Sequence, residues 1–108
     1  MILPSPDDPA EAPIWDNYIV AQAVQASLGL IPQHALAVGV QVDGVNVMLR
    51  FQLTELTESD QEAMNDIVDE FEMLVGDQVH VSARPELHAE RNISPFDGIQ
   101  WIFLARIS

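Results

Sequence analysis

TESDQEAMNDIVDEFEMLVG, residues 57–76, decides the fold, because it specifies one amphipathic helix together with both of its ends. Thr57 is suited to the N-cap and Asp60, three residues on, approximates a capping box. Glu58 and Asp60 also lie at the positive end of the helix dipole. Ala63, Ile67, Phe71 and Val75 recur at every fourth position, and Met64, Val68 and Leu74 widen the stripe, as in a helix laid on a core. Gly76 is suited to a left-handed helix end. The outward side is expected to collect Glu58, Asp60, Glu62, Asp66, Asp69, Glu70 and Glu72 without a single Lys or Arg. Carboxylates three or four apart repel by about a few tenths of a kcal/mol per pair. A charge run is ordinarily a solvated face, but one of uniform sign that costs stability points to a partner.

Upstream of this helix lies the clearest β pattern. Val38, Val40 and Val42 alternate before Asp43-Gly44, and Val45, Val47, Leu49, Phe51 and Leu53 alternate after it. The pattern predicts a hairpin with Asp43-Gly44 as its two-residue turn, pairing Val42 with Val45, Val40 with Val47 and Val38 with Leu49. Gln41, Asn46, Met48, Arg50 and Gln52 then share the other face. A slip of one residue would expose the whole apolar row.

Further back, residues 14–28 predict a first helix, with Trp15, Ile19 and Ala23 on one face joined by Val20, Val24 and Leu28. Its start is set either by Pro13 in the first turn or by Asp16 capping a shorter version, and Gly29-Leu30 suits a Schellman-type ending. The helix carries little charge. Residues 1–13, with Pro4, Pro6, Pro9 and Pro13 among Asp7, Asp8 and Glu11, form an acidic, proline-broken arm.

Downstream of residue 76, Val79, Val81 and Ala83 alternate with His80 and Ser82 in a short strand that Pro85 is expected to end. Glu86 to Gly98 is a polar connection containing Pro95 and Asp97. The last strand, Ile99 to Ile107, is apolar on both sides, with Ile99, Trp101, Phe103 and Ala105 on one and Ile102 and Leu104 on the other. Such a strand is covered twice or meets a partner. The order αββαββ predicts an α+β two-layer sandwich, a four-stranded, mainly antiparallel sheet with both helices on one face. Residues 14–108 form its single domain and 1–13 the arm. The opposite face would show Gln41, Asn46, Met48, Arg50, Gln52, His80, Ser82, Ile102 and Leu104.

Charge sets the functional class. Asp and Glu number 17 against four Arg and no Lys, for a net charge of −13. Direct binding to nucleic acid is disfavoured, because that affinity depends on Lys and Arg neutralising phosphates. A basic macromolecule is the matching partner, and electrostatic steering would speed its association. A salt-rich cytoplasm or a need for solubility would also account for the acidity. With no cysteine, disulfide scaffolds and zinc-thiolate sites are excluded. No apolar run approaches the roughly 20 residues of a membrane span. The N-terminus has Pro and Asp where a secretory signal carries basic and apolar blocks, so a soluble cytoplasmic protein is expected.

Catalytic motifs are lacking. His34, His80 and His88 are the only histidines, and Glu86-x-His88 with His80 matches no tight metal-site spacing. No serine sits in a GxSxG elbow, and the glycines are too scattered for a phosphate loop. The chain is expected to be no enzyme and to need no cofactor. Arg50 and Arg106, scarce cations on strands, would meet the protein's own carboxylates or anchor a partner.

Leu28-Gly29-Leu30-Ile31-Pro32, the valine-rich hairpin ending Leu49-Arg50-Phe51, and Thr57-Glu58-Ser59-Asp60 opening an acidic helix that contains Glu70 carry a resemblance. Over residues 15–82 the chain resembles small acidic bacterial proteins of αββαββ pattern associated with immunity to contact-dependent and other polymorphic toxins. The resemblance implies a toxin-neutralising role. The resulting expectation is an acidic inhibitor that blocks a basic, nuclease-type toxin domain, with Glu58, Glu62, Asp66, Asp69 and Glu70 as partner-binding residues. The alternatives are a homo-oligomeric structural or accessory protein, joined through the first helix, Ile102 and Leu104, and a phage-type inhibitor that mimics nucleic-acid charge.

Overall fold

A computed structural model describes residues 12–93 and 98–105. The arm through Glu11, and Pro95, Asp97, Arg106 and Ile107 of the readings above, lie outside the described residues. The order is α1 (Ala12–Ser27), β1 (Ala35–Asp43), β2 (Asn46–Leu53), α2 (Glu58–Val75), β3 (His80–Leu87) and β4 (Gln100–Leu104). The chain is α+β, with four strands in the order β3-β2-β1-β4. β1 pairs antiparallel with β2 and with β4, while β2 and β3 are parallel. The sheet is therefore mixed. A parallel pair needs a crossover of a dozen residues or more, and α2 supplies it.

One core joins the two layers. Trp15, Ile19 and Ala23 of α1 meet Met64, Ile67, Phe71 and Val75 of α2 over Val38, Val40, Val47, Leu49, Phe51 and Leu53 of the hairpin. The Trp15 indole N–H donates to Gly44 O at 2.8 Å, tying the start of α1 to the hairpin turn. Pro13 falls in the first turn of α1, where a missing N–H is harmless. Val24 and Leu28 do not join the core; with Ile14 they stand exposed on the outer side. Gly29 has φ +76°, but Leu30 N–H bonds Ser27 O at 3.0 Å, so α1 ends in a tight turn, not a Schellman motif.

The hairpin register differs from the expected one by two residues. Val42 faces Val47, Val40 faces Leu49 and Val38 faces Phe51, and the loop is Gly44-Val45. Gly44 has φ +59° and, among the described residues, no non-glycine residue has positive φ, which matches a turn with glycine at its first central position. Strand alternation has a period of two, so this shift leaves the same residues facing the core.

Two departures shape the sheet's edges. β3 runs through Pro85, ending at Leu87, because the proline lies on an edge strand where its nitrogen faces away from β2. In β4, Val38 pairs with Phe103 but Gly39 with Trp101, so Ile102 is an extra bulged residue. Ile102 and Phe103 consequently both pack on the core, and Ile102 leaves the open face expected of it. A Cβ on Gly39 would clash with Ile99 and lie 2.8 Å from the Trp101 ring, so both side chains cross the sheet directly above this glycine.

Candidate functional site

The second helix ends as its sequence requires. Thr57 Oγ1 accepts from Asp60 N–H at 3.2 Å, and the Asp60 carboxylate accepts from Thr57 N–H at 3.0 Å, a complete capping box. At the other end Gly76 has φ 82° and ψ −177°, a conformation open essentially to glycine, and its N–H reaches Glu72 O at 2.9 Å.

Asp60 is not part of the outward face. It is fully buried and accepts two further bonds from a residue 26 positions earlier, His34 N–H at 3.2 Å and His34 Nδ1 at 2.6 Å. The Thr57 hydroxyl donates to it as well, at 2.8 Å. Burial by itself would raise this carboxyl's pKa, but the donors of Thr57 and then of His34 outweigh burial and hold it well below the ordinary carboxylate range. The other ring nitrogen of His34 lies 2.9 Å from Glu55 Oε1. This constellation resembles a carboxylate-oriented histidine, yet its geometry has a structural purpose. It clamps the entry of β1 to the start of α2.

The outward face of α2 is carried by Glu58, Glu62, Asp66, Asp69, Glu70 and Glu72, all exposed. Among the described residues none of them makes an ion pair. Glu62, Asp66, Asp69 and Met73 are spaced by four, three and four, forming one stripe, and Met73 is 78% exposed at its end. The helix has no basic residue in its last turn to offset the negative end of its dipole. Five residues of the sequence reading, Glu58, Glu62, Asp66, Asp69 and Glu70, thus occupy one uncompensated acidic surface. Beside it runs a groove of about 450 Å³ between α2 and β3, lined by Met64, Val68, Val81, Ala83 and Pro85 below Gln61, Asn65 and Asp69.

Of the described arginines, Arg50 of β2 and the exposed Arg84 of β3 are in register, alternating with the residues that face the helices, and Arg91 follows β3. Arg50 pairs with Glu86 at 2.7 Å and donates to Gln41 at 3.1 Å, so it meets the protein's own carboxylate. Gln52 is buried because Asn92 crosses the sheet and donates its N–H to Gln52 Oε1 at 2.8 Å. Arg91 donates to Ala105 O at 3.0 Å. With Trp101 and His88, Arg50, Gln52 and Glu86 line a small cavity of about 220 Å³.

His80 and His88 fall at opposite ends of β3, on Asn46 and beyond Leu53 of β2. Among the described residues no three His, Cys, Asp or Glu side chains gather as a metal site. No described helix is long and apolar enough to cross a membrane. Compared with models of known protein families and with curated proteins, the chain matches none.

Proposed function

We propose that this protein binds and blocks a basic macromolecular partner through the outer face of α2, as an immunity protein does when it neutralises a nuclease-type toxin inside a bacterial cytoplasm. The observation that carries the reading is the set of Glu58, Glu62, Asp66, Asp69 and Glu70, exposed on one helix and without an ion pair among the described residues. Like charges so arranged destabilise the free helix, and a cationic surface removes that penalty on binding. The groove that a nuclease uses for phosphates is such a surface, and the carboxylates would occupy its phosphate positions. Met73, exposed at the end of the acidic stripe, supplies an apolar contact that can be desolvated within a charged rim. No catalytic step and no cofactor is part of this reading.

The test is capture of partners from the native lysate by the wild type and by the variant E62Q/D66N/D69N/E70Q, at low and at high salt. A basic protein retained by the wild type, released by salt and lost by the variant supports the reading. Equal retention by both proteins places the contact elsewhere. A second reading draws on α1, whose outer side exposes Ile14 at 58%, Val24 at 40% and Leu28 at 63%. Two copies joined there would form a dimer that light scattering still detects at high salt.

A further inference from the structure

β3 is an edge of the sheet, and its outer side carries pairing groups next to the acidic helix. The parallel ladder opens with His80 N–H on Val45 O at 2.8 Å and closes with His88 N–H on Leu53 O at 2.9 Å. By the two-residue period of a strand, the main-chain groups of His80, Ser82, Arg84 and Glu86 face β2. Those of Val81, Ala83, Pro85 and Leu87 face away from it. Val81 and Ala83 therefore each offer an N–H and a C=O along the groove, and Pro85 offers only its C=O.

The groove beside this edge has an apolar floor of Val68, Val81, Ala83 and Pro85. On its helix side, Glu58, Gln61, Asn65 and Glu72 follow one another by three, four and seven residues, placing them in a common stripe with Asp69 next to it. An edge strand, an apolar floor and a polar wall of Gln61, Asn65 and Asp69, with Glu58 and Glu72 in the same helix stripe beyond its ends, describe the receptor for a particular kind of chain. A Lys or Arg side chain in an added strand can lay its methylene stem on Val68 and Val81 and bring its charge to Asp69 and Glu72.

Among the described residues the opposite edge lacks this combination. β4 has five residues interrupted by a bulge, and α1 beside it carries one charged residue, Asp16, along Ala12–Ser27. We propose that the groove between α2 and β3 is the docking site for an extended, Lys- or Arg-bearing segment of the basic partner, added as a short strand to the outer edge of β3 at Val81 and Ala83. The proposal rests on the acidic face of α2 being the recognition surface. Pro85 ends the register, which limits the added strand to a few residues and discourages edge-to-edge pairing between copies.

The test uses the full chain and a fluorescent peptide of alternating lysine and valine, with a polylysine of equal charge for comparison. Binding of the alternating peptide should weaken about tenfold in A83P, which removes an outward N–H and no sheet bond, and about tenfold in D69N/E72Q, but less than about twofold in D66N/E70Q. N-methylating every second residue of the peptide should cause a loss similar to that of A83P while leaving the protein untouched, so a folding defect in A83P cannot account for both. Amide exchange at Val81 and Ala83 should slow on binding by about tenfold or more.

Alternating peptide that binds regardless of A83P and N-methylation overturns strand addition. If polylysine then still loses affinity in E62Q/D66N/D69N/E70Q, the acidic-face reading stands without the groove. If neither peptide binds at low salt, both proposals fall.

Discussion

Asp60 and Asp66 are the same residue type on the same helix, less than two turns apart, and they sit in opposite surroundings. Asp60 is fully buried and receives bonds from the backbone and side chains of Thr57 and His34. Asp66 is exposed, with Glu62, Asp69 and Glu70 nearby and no cation on the helix. One carboxylate is saturated by the protein's own donors and holds the fold together. Among the described residues the others make no ion pair, and in the proposed function a basic partner supplies their counterpart. The pair teaches that what an acidic residue does is set by the donors around it, not by its place in a run of charge.

The largest effect is expected at Asp60. Asp60→Ala should lower stability by about 3 kcal/mol, because it strands the donors of Thr57 and His34 at a buried site. Equilibrium denaturation in urea measures this, and a loss below about 1 kcal/mol would show that the clamp is not structural. His34→Ala removes only part of the same set and should cost about 2 kcal/mol. Thr57→Ala should cost about 1 kcal/mol, the usual worth of an N-cap.

Proton linkage sharpens the contrast. The folded protein holds the Asp60 carboxyl below its ordinary range, so its stabilising contribution is complete above the unfolded pKa of about 3.9 and is lost as pH falls below that value. The stability difference between the wild type and Asp60→Ala should therefore narrow below about pH 4. Parallel denaturation curves across this range check the sign. The smallest effect is expected at the outer face. Asp66→Asn and Glu70→Gln should leave the melting temperature unchanged or slightly raised, since each substitution removes repulsion and no hydrogen bond.

Much of α2 is legible in the sequence, since Thr57, Asp60 and Gly76 mark its ends and Met64, Ile67, Phe71 and Val75 mark its buried stripe. The burial of Asp60 is not, because its clamp depends on His34, a distant residue with no pattern of its own. The strands show a related limit. Alternation assigns Val38, Val40, Val47 and Leu49 to the core face correctly, yet a period of two cannot distinguish a turn on Asp43-Gly44 from one on Gly44-Val45.

Pro85 looks like a strand stop until β3 is known to be an edge, and the bulge at Ile102 has no glycine or proline within β4 to announce it, only Gly39 opposite it on β1. For the candidate site, the five carboxylates of α2 could be read from helical spacing alone. The groove beside them could not, since it requires knowing that β3 is parallel to β2 and lies at the sheet's edge.

The most direct test of the account is the rate at which the captured basic partner associates with the wild type and with E62Q/D66N/D69N/E70Q, followed by stopped flow across a range of salt. If the acidic face is the recognition surface, the wild type associates at least about tenfold faster at low salt, this advantage shrinks as salt rises, and the variant's rate is nearly flat. Equal rates with equal salt dependence would contradict it and return the acidic face of α2 to the status of a solvated surface.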